Sequence, residues 1–230
     1  MSLTLKNSFY SARANEPIKL GKFVDKLCVC TPTPDFYEGQ KKIEAFFAVD
    51  EKGEIKTDKI CLTSLLLEDK ILDAVIDYVY TNKCKFMVRA CENLYESGVI
   101  EAKYHLSPIM LLHKMGLLEN ATIVGANHID KDDIDLLAQC NAKIVFLPSY
   151  SMGMGNGTPP ISFALDKIDI GLGTANNAFN TSADILFEAR LAYLTASSEM
   201  RKNNAISAHR LLNLCGKGDI EQFKLELQID

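Results

Sequence analysis

The chain has 230 residues, which is enough for one sizeable α/β domain without a second one. Its 47% hydrophobic and 24% charged residues are ordinary for a soluble globular protein, and the formal net charge of -5 argues against a nucleic-acid-binding body. No uninterrupted apolar run approaches the roughly 20 residues that a membrane span requires. Seven cysteines scattered over predicted strands and helices favour a reducing, cytoplasmic setting over a disulfide framework.

The first half of the chain begins ambiguously and then becomes regular. Residues 1–25 form an N-terminal segment with only weak strand patterns. Residues 26–30 and 59–63 are β-prone, and residues 69–80 carry apolar side chains at the spacing of one helix face. Residues 35–49 have a mixed helical pattern, although 45–49 fit one arm of a hairpin equally well. A strand is predicted over 85–90, and a helix over 107–118 with Ser107 as its cap and Pro108 in its first turn.

The second half alternates short apolar runs with helical patterns. Strands are predicted over 122–126, 143–147 and 168–172, separated by an acidic amphipathic stretch and by a glycine-rich loop over 151–160. Two helices over 181–197 and 203–214 follow, and the tail from 215 to 230 ends in an alternating, strand-like run.

This alternation is typical of βαβ units and predicts a parallel sheet with helices outside it. Six strand–helix units are recognisable, starting near residues 27, 60, 85, 121, 143 and 168, whereas a complete parallel barrel has eight. We therefore predict an incomplete or distorted TIM-like (β/α) barrel over residues 26–214. Active sites of such folds lie at the carboxyl ends of the strands. Gly125, Phe146 and Ala175 occupy three of these ends, and none of them has a catalytic side chain.

Several segments carry a family resemblance through their order and spacing. They are Phe-Met-Val-Arg-Ala-Cys-Glu at 86–92, Val-Gly-Ala-Asn-His-Ile-Asp at 124–130, Phe-Leu-Pro-Ser-Tyr-Ser at 146–151, and Gly-Leu-Gly-Thr-Ala-Asn-Asn at 171–177. In this order they resemble the His-x-His-x-x-Glu, Ala-His-x-x-His-Leu-Ser, His-Cys-Pro-x-Ser-Asn and Gly-Thr-Asp-x-x-x-Ser-Asn segments of the amidohydrolase superfamily. The resemblance covers roughly 170 residues and is to the branch of the chlorohydrolases and S-adenosylhomocysteine deaminases.

The resemblance implies hydrolysis by a water bound to zinc or iron, since such a cation lowers the pKa of its water. Carried over position by position, the metal ligands of the family fall on Arg89, Gly125 and Ala175, none of which suits a cation. Arg89 is a permanent cation and would repel a divalent ion. We therefore predict no metal cofactor. Glu92 is the catalytic-type residue that remains, and His128 matches a second, non-ligand histidine of the family.

Each candidate residue also has a plainer interpretation. Arg89 and Glu92 form either a structural ion pair or an anion-binding pair in a pocket. His128 is either a satisfied loop histidine or a catalytic group beside Glu92. Asn176 and Asn177 suit either helix capping or hydrogen bonds to a substrate. Cys28 and Cys30 have the spacing of a soft-metal pair, but buried cysteines acting as small hydrophobes explain them as well.

Three functions remain open from the sequence. The first is an amidohydrolase-like protein that has lost its metal ligands and acts by binding, as a regulatory or partner subunit. The second is an active hydrolase or deaminase that acts on carbon–nitrogen bonds of purine-like or other nitrogenous substrates through an altered site. The third is a structural remnant without a ligand. Because an open barrel edge exposes backbone and apolar surface, we expect a homo-oligomer or a complex with a full-length paralogue.

Overall fold

The structure is a computed structural model that describes residues 5–13, 24–30, 47–49, 55–62, 64–67, 69–83, 85–174, 179–180 and 184–215. The strands are β1 (Leu5–Arg13), β2 (Val24–Cys30), β3 (Phe47–Val49), β4 (Ile55–Leu62), β5 (Lys85–Ala90), β6 (Thr122–Gly125), β7 (Lys143–Phe146) and β8 (Asp169–Leu172). The helices are α1 (Asp69–Asn82), α2 (Leu94–Tyr104), α3 (Pro108–Lys114), α4 (Lys131–Gln139), α5 (Pro148–Gly153), α6 (Ile161–Ala164), α7 (Ile185–Met200) and α8 (Ala208–Cys215). Among these residues no helix is long and apolar enough to cross a membrane.

The main sheet has six strands in the order β3-β4-β5-β6-β7-β8. Strands β4 to β8 are parallel, and each is paired with the next one along the chain. β3 pairs antiparallel with β4, while β1 and β2 form a separate parallel pair. β1 contacts β8 and β2 contacts β3, so the small sheet approaches both edges of the large one. The predicted fold class, α/β with a partial (β/α) barrel, is confirmed.

The middle strands of the parallel sheet contain runs of consecutive buried residues. Phe86, Met87 and Val88 are consecutive and all buried, as are Ile144, Val145 and Phe146 in β7. Burial of consecutive residues means that both faces of the sheet are covered, which is typical of parallel sheets.

Helix starts follow their local capping residues. Ser107 accepts a hydrogen bond from the Met110 N–H, and Asp130 forms a capping box with Asp133 at the start of α4. The predicted helix over 107–118 is too long: α3 ends at Lys114, and Gly116 follows in the left-handed region at φ +70°.

Three further sequence expectations need correction. α2 is absent from the predictions because its apolar Leu94, Tyr95 and Val99 are exposed and give no buried stripe. Residues 47–49 form a hairpin arm, so the helical alternative is wrong there. The glycine-rich segment predicted as a loop from residue 151 begins with the last residues of α5. The predicted tail beyond residue 215 lies outside the described residues, and the division into 1–25, 26–214 and 215–230 stays a prediction.

Candidate functional site

A buried ion pair lies at the carboxyl end of β5. Arg89 is the penultimate residue of β5, and Cys91, at φ +52°, turns the chain so that Glu92 faces back toward it. Arg89 Nε donates to Glu92 Oε2 at 3.0 Å, and Arg89 Nη2 donates to Glu92 Oε1. The two side chains are only 12% and 10% exposed. Burial alone would lower the pKa of Arg89, but the Glu92 carboxylate outweighs it and raises that pKa above its usual value, so the guanidinium stays charged.

The loop after β6 fits closely around Glu92. Gly125 has φ +95°, and a Cβ atom there would lie 3.0 Å from Glu92 Cβ. The Ala126 N–H donates to the Ala90 carbonyl at 3.0 Å, and Asn127 Nδ2 donates to the Glu92 carbonyl at 2.9 Å. The close fit explains a glycine at position 125, since a side chain there would collide with Glu92.

The helix after β7 places an aromatic ring beside the pair. The Arg89 guanidinium carbon lies 4.7 Å from the centroid of the Tyr150 ring, within cation–π range. Ser151, fully buried, donates from Oγ to Asn127 Oδ1 at 3.0 Å. We call Arg89, Glu92 and Tyr150 the strand-end cluster, because β5 and the segment after β7 supply it.

The segment after β8 completes this edge of the sheet. Phe179 meets the Tyr150 ring edge-on, with centroids 6.2 Å apart. Its neighbour Asn180 donates from Nδ2 to Glu188 Oε1 at 2.8 Å. Glu188, fully buried on α7, also accepts from the backbone N–H of Ser149 at 2.8 Å and from its Oγ at 2.5 Å. Burial raises the pKa of Glu188, although the bonds from Ser149 and Asn180 oppose that shift.

His128 lies near the cluster, at the start of the loop after β6. Its backbone N–H donates to the Cys91 carbonyl at 2.9 Å, and a Cβ on Gly157 would lie 3.5 Å from its Cε1 atom. The half-buried imidazole has no hydrogen-bond partner within the described part of the chain. The structure thus brings His128 to the same edge as Glu92 without a direct bond between the two side chains. Asn176, Asn177 and Ala175 lie outside the described residues, so their predicted roles stay predictions.

Sequence reasoning missed three polar residues at this edge, of which Glu188 and Glu96 are buried and Tyr150 is half-buried. Tyr150 gave no pattern, because its partner Arg89 is 61 positions away. Glu188 could have been found from the helical spacing, because it lies on the same buried face of α7 as the apolar residues Ile185, Ala189 and Ala192. Glu96 accepts from Ser64 Oγ at 2.7 Å and from the Leu65 N–H at 2.9 Å, and burial raises its pKa.

The described residues at this edge do not fit a divalent cation. Both Glu92 oxygens already accept from Arg89, whose positive charge would repel a metal ion. Gly125 offers no side chain. Over the described residues, no three histidine, cysteine, aspartate or glutamate side chains come together in a group suited to a metal ion.

Sequence comparison identifies deaminases as relatives. The chain is 36% identical over 145 residues to a 5-methylthioadenosine/S-adenosylhomocysteine deaminase of Pyrococcus horikoshii, a match that spans 62% of this chain and 34% of the relative. It is 27% identical over 148 residues to the enzyme of the same name from Caldicellulosiruptor saccharolyticus. The chain thus spans about a third of the length of these curated relatives. No family model matches it.

Solved structures share the fold at low sequence identity. An adenosine deaminase from Xanthomonas campestris with bound zinc aligns with a TM-score of 0.60 at 18% identity, over 70% of this chain and 39% of the other. An atrazine chlorohydrolase from Arthrobacter aurescens TC1 complexed with zinc aligns at 0.61 and 22% identity, over 68% and 35%. A guanine deaminase from C. acetobutylicum with bound guanine aligns at 0.54 and 20% identity, over 66% and 40%. These likenesses show the fold alone.

Proposed function

We propose that this chain, whose resemblance to the amidohydrolase superfamily the matches above confirm, binds a small nitrogenous ligand at its strand-end cluster without metal-dependent catalysis. The named relatives are deaminases, which act on carbon–nitrogen bonds. In this proposal the chain keeps the ligand pocket of such proteins and acts as a regulatory or partner subunit.

The observation that supports the proposal is the bidentate bond between Arg89 and Glu92. A guanidinium stands at the position that the family resemblance assigns to a metal ligand, and it engages both oxygens of the remaining catalytic-type carboxylate. In this proposal the fixed positive charge of Arg89 takes over the role of a metal cation in polarising the ligand. Tyr150 and Phe179 add aromatic surface beside it, and aromatic faces suit planar heterocycles.

The test combines ligand binding with turnover. The full chain is mixed with 5′-methylthioadenosine, S-adenosylhomocysteine or guanine, and both its Tm and the release of ammonia are measured. We expect at least one compound to raise the Tm without ammonia release, and the rise to disappear in Arg89→Leu. Arg210→Leu is the matched control, since Arg210 pairs with Asp166 at the surface. Enzymatic ammonia release overturns the proposal, and so does the lack of any Tm shift with all three compounds, which favours a structural remnant.

An active deaminase with an altered site is the second candidate. It is favoured by the position of His128, whose backbone bond to Cys91 holds it at the same edge as Glu92. In that case Glu92 and His128 handle protons while Arg89, Asn176 and Asn177 bind the substrate. Ammonia release that is lost in Glu92→Gln and kept in Glu199→Gln, a change at an exposed carboxylate, would establish it.

Assembly and location are part of the same proposal. Large apolar side chains at the start of α2, Leu94 and Tyr95, are 70% and 76% exposed, which supports a homo-oligomer or a complex with a full-length paralogue. The cysteines Cys91, Cys140 and Cys215 are free thiols, which supports a cytoplasmic location. Analytical ultracentrifugation giving a clean monomer at micromolar concentration would contradict self-association.

A further inference from the structure

The buried carboxylate of Glu188 has no place in the function proposed above, yet it is hydrogen-bonded to the chain neighbours of both aromatic residues at the strand-end edge. It accepts from Ser149, which directly precedes Tyr150, and from Asn180, which directly follows Phe179. We propose that Glu188 is a positioning residue: it fixes α5 and the adjacent residues Phe179 and Asn180 so that the Tyr150 ring lies against the Arg89 guanidinium.

Glu188 is bonded to the start of α5. This helix has six residues, begins with Pro148 and has no side-chain cap from its own N-cap residue, Leu147. The Glu188 carboxylate takes over that role from another helix, since it accepts the Ser149 N–H in the first turn of α5. The start of α5 is therefore set by α7.

A second set of hydrogen bonds holds α5 from the side of β6. Ser151 is tied through Asn127 to the carbonyl of Glu92, so α5 is held from the β6 side as well. Tyr150 lies between the two tied serines. With Ser149 fixed by Glu188 and Ser151 fixed by Asn127, its backbone has little freedom to rotate, and the ring stays against Arg89.

Glu188 also holds the neighbour of Phe179 in the chain. Asn180 donates to Glu188 and to the Asp184 carbonyl, and it accepts from the Asp184 N–H at 2.9 Å. Its neighbour Phe179 packs on α5 so closely that a Cβ on Gly153 would come within 2.4 Å of the Phe179 ring. The Glu188 carboxylate thus binds Ser149 beside Tyr150 and Asn180 beside Phe179.

Replacement by glutamine should disturb this arrangement with little change in volume. Within the described residues the carboxylate accepts three hydrogen bonds, two at Oε1 and one at Oε2. A glutamine has one acceptor oxygen, and its NH₂ group must then face at least one of these donors. In either orientation α5 or the segment after β8 has to move.

The experiment reads the contact between Tyr150 and Arg89 by NMR in the free protein, so it is independent of the ligand proposal. The Arg89 Nε–H, which is bonded to Glu92, gives a side-chain signal shifted by the ring current of Tyr150. It is assigned with Arg89→Lys, and its position without the ring is taken from Tyr150→Leu. We expect Glu188→Gln to move the signal toward that position, and Glu199→Gln, a change on the same helix, to leave it in place.

If Glu188 only stabilised the fold, Glu188→Gln would lower the Tm and leave the Arg89 signal in place. A moved signal therefore distinguishes a positioning role from a general structural one. Ser149→Ala is the second variant: it removes one donor to Glu188 and should move the signal in the same direction by less, even if Glu188→Gln does not fold. An unmoved signal in folded Glu188→Gln overturns the inference. If that variant does not fold, an unmoved signal in Ser149→Ala overturns it.

Discussion

Glu92 and Glu188 are buried carboxylates at the same edge of the sheet, and their charges are balanced in opposite ways. Glu92 faces a guanidinium that binds both of its oxygens, whereas the donors to Glu188 among the described residues are neutral. Burial accordingly raises the pKa of Glu188, while Arg89 stays cationic beside Glu92. Arg89 and Glu92 compensate each other, so removing one of them should destabilise the fold strongly. Glu188 has no such ionic partner among the described residues, so its effect on stability should depend on pH.

Breaking the pair should give the largest effect. Arg89→Leu leaves Glu92 buried without its partner, and we expect a loss of about 3–5 kcal/mol in the free energy of unfolding, measured by urea denaturation. The double variant Arg89→Met/Glu92→Leu removes both charges and should recover most of that loss. A double variant as unstable as Arg89→Leu would show that the pair is not a compensated unit.

The packing of Gly125 against Glu92 gives the next effect. Gly125→Ala places a Cβ 3.0 Å from Glu92 Cβ at φ +95°, and we expect it to cost about 1–3 kcal/mol by the same measurement. Gly98→Ala is the matched control, because α2 leaves open space around Gly98. It should stabilise the protein by about 0.5–1 kcal/mol. Equal effects of the two changes would contradict the close fit.

The ring of Tyr150 should contribute less. Tyr150→Leu removes the cation–π contact with Arg89, and a loss of about 0.5–2 kcal/mol is expected from urea denaturation. Tyr150→Phe keeps the ring and should stay within about 0.5 kcal/mol of the wild type. If the phenylalanine variant is as unstable as the leucine variant, the hydroxyl rather than the ring carries the contact.

The pH dependence of stability should show the smallest change, and we expect Glu188 to contribute to it alongside Glu96 and Asp133, whose pKa values burial also raises. The pKa of Glu188 in the folded chain lies above its usual value of 4.5. At a pH between 4.5 and that raised pKa, the folded state therefore binds more protons than the unfolded state. The contribution of Glu188 to stability is therefore fully present below 4.5 and is lost as the pH rises through the folded pKa. Urea denaturation at several pH values from 4.5 to 8 should show a flatter profile in Glu188→Gln. The Glu199→Gln profile should match the wild type, and an unchanged Glu188→Gln profile would contradict this assignment.

The sequence predicted the parts that depend on local apolar runs. The strand over 85–90 agrees with β5, and the next three strands agree with β6, β7 and β8 to within a residue at each end, because buried apolar runs between polar stretches define them. α2 escaped prediction because its exposed apolar residues break the expected pattern.

The site was predictable only where its residues are close in sequence. Arg89 and Glu92 are three residues apart, so a pair between them followed from the spacing, and the structure contains it. The contacts of Tyr150 with Arg89 and of Glu188 with Ser149 join residues that are far apart in sequence. The assembly of the sheet brings them together, and no local sequence pattern predicts it. The roles of Asn176 and Asn177 stay predictions.

The metal content of the purified chain tests the central claim, ligand binding without a metal, most directly. The full chain, incubated with zinc or iron(II) and then freed of excess ion, is analysed for bound metal alongside Glu92→Gln. We predict much less than one ion per chain, with no difference between the two proteins, because Arg89 already occupies both Glu92 oxygens. One ion per chain that is lost in Glu92→Gln would contradict it.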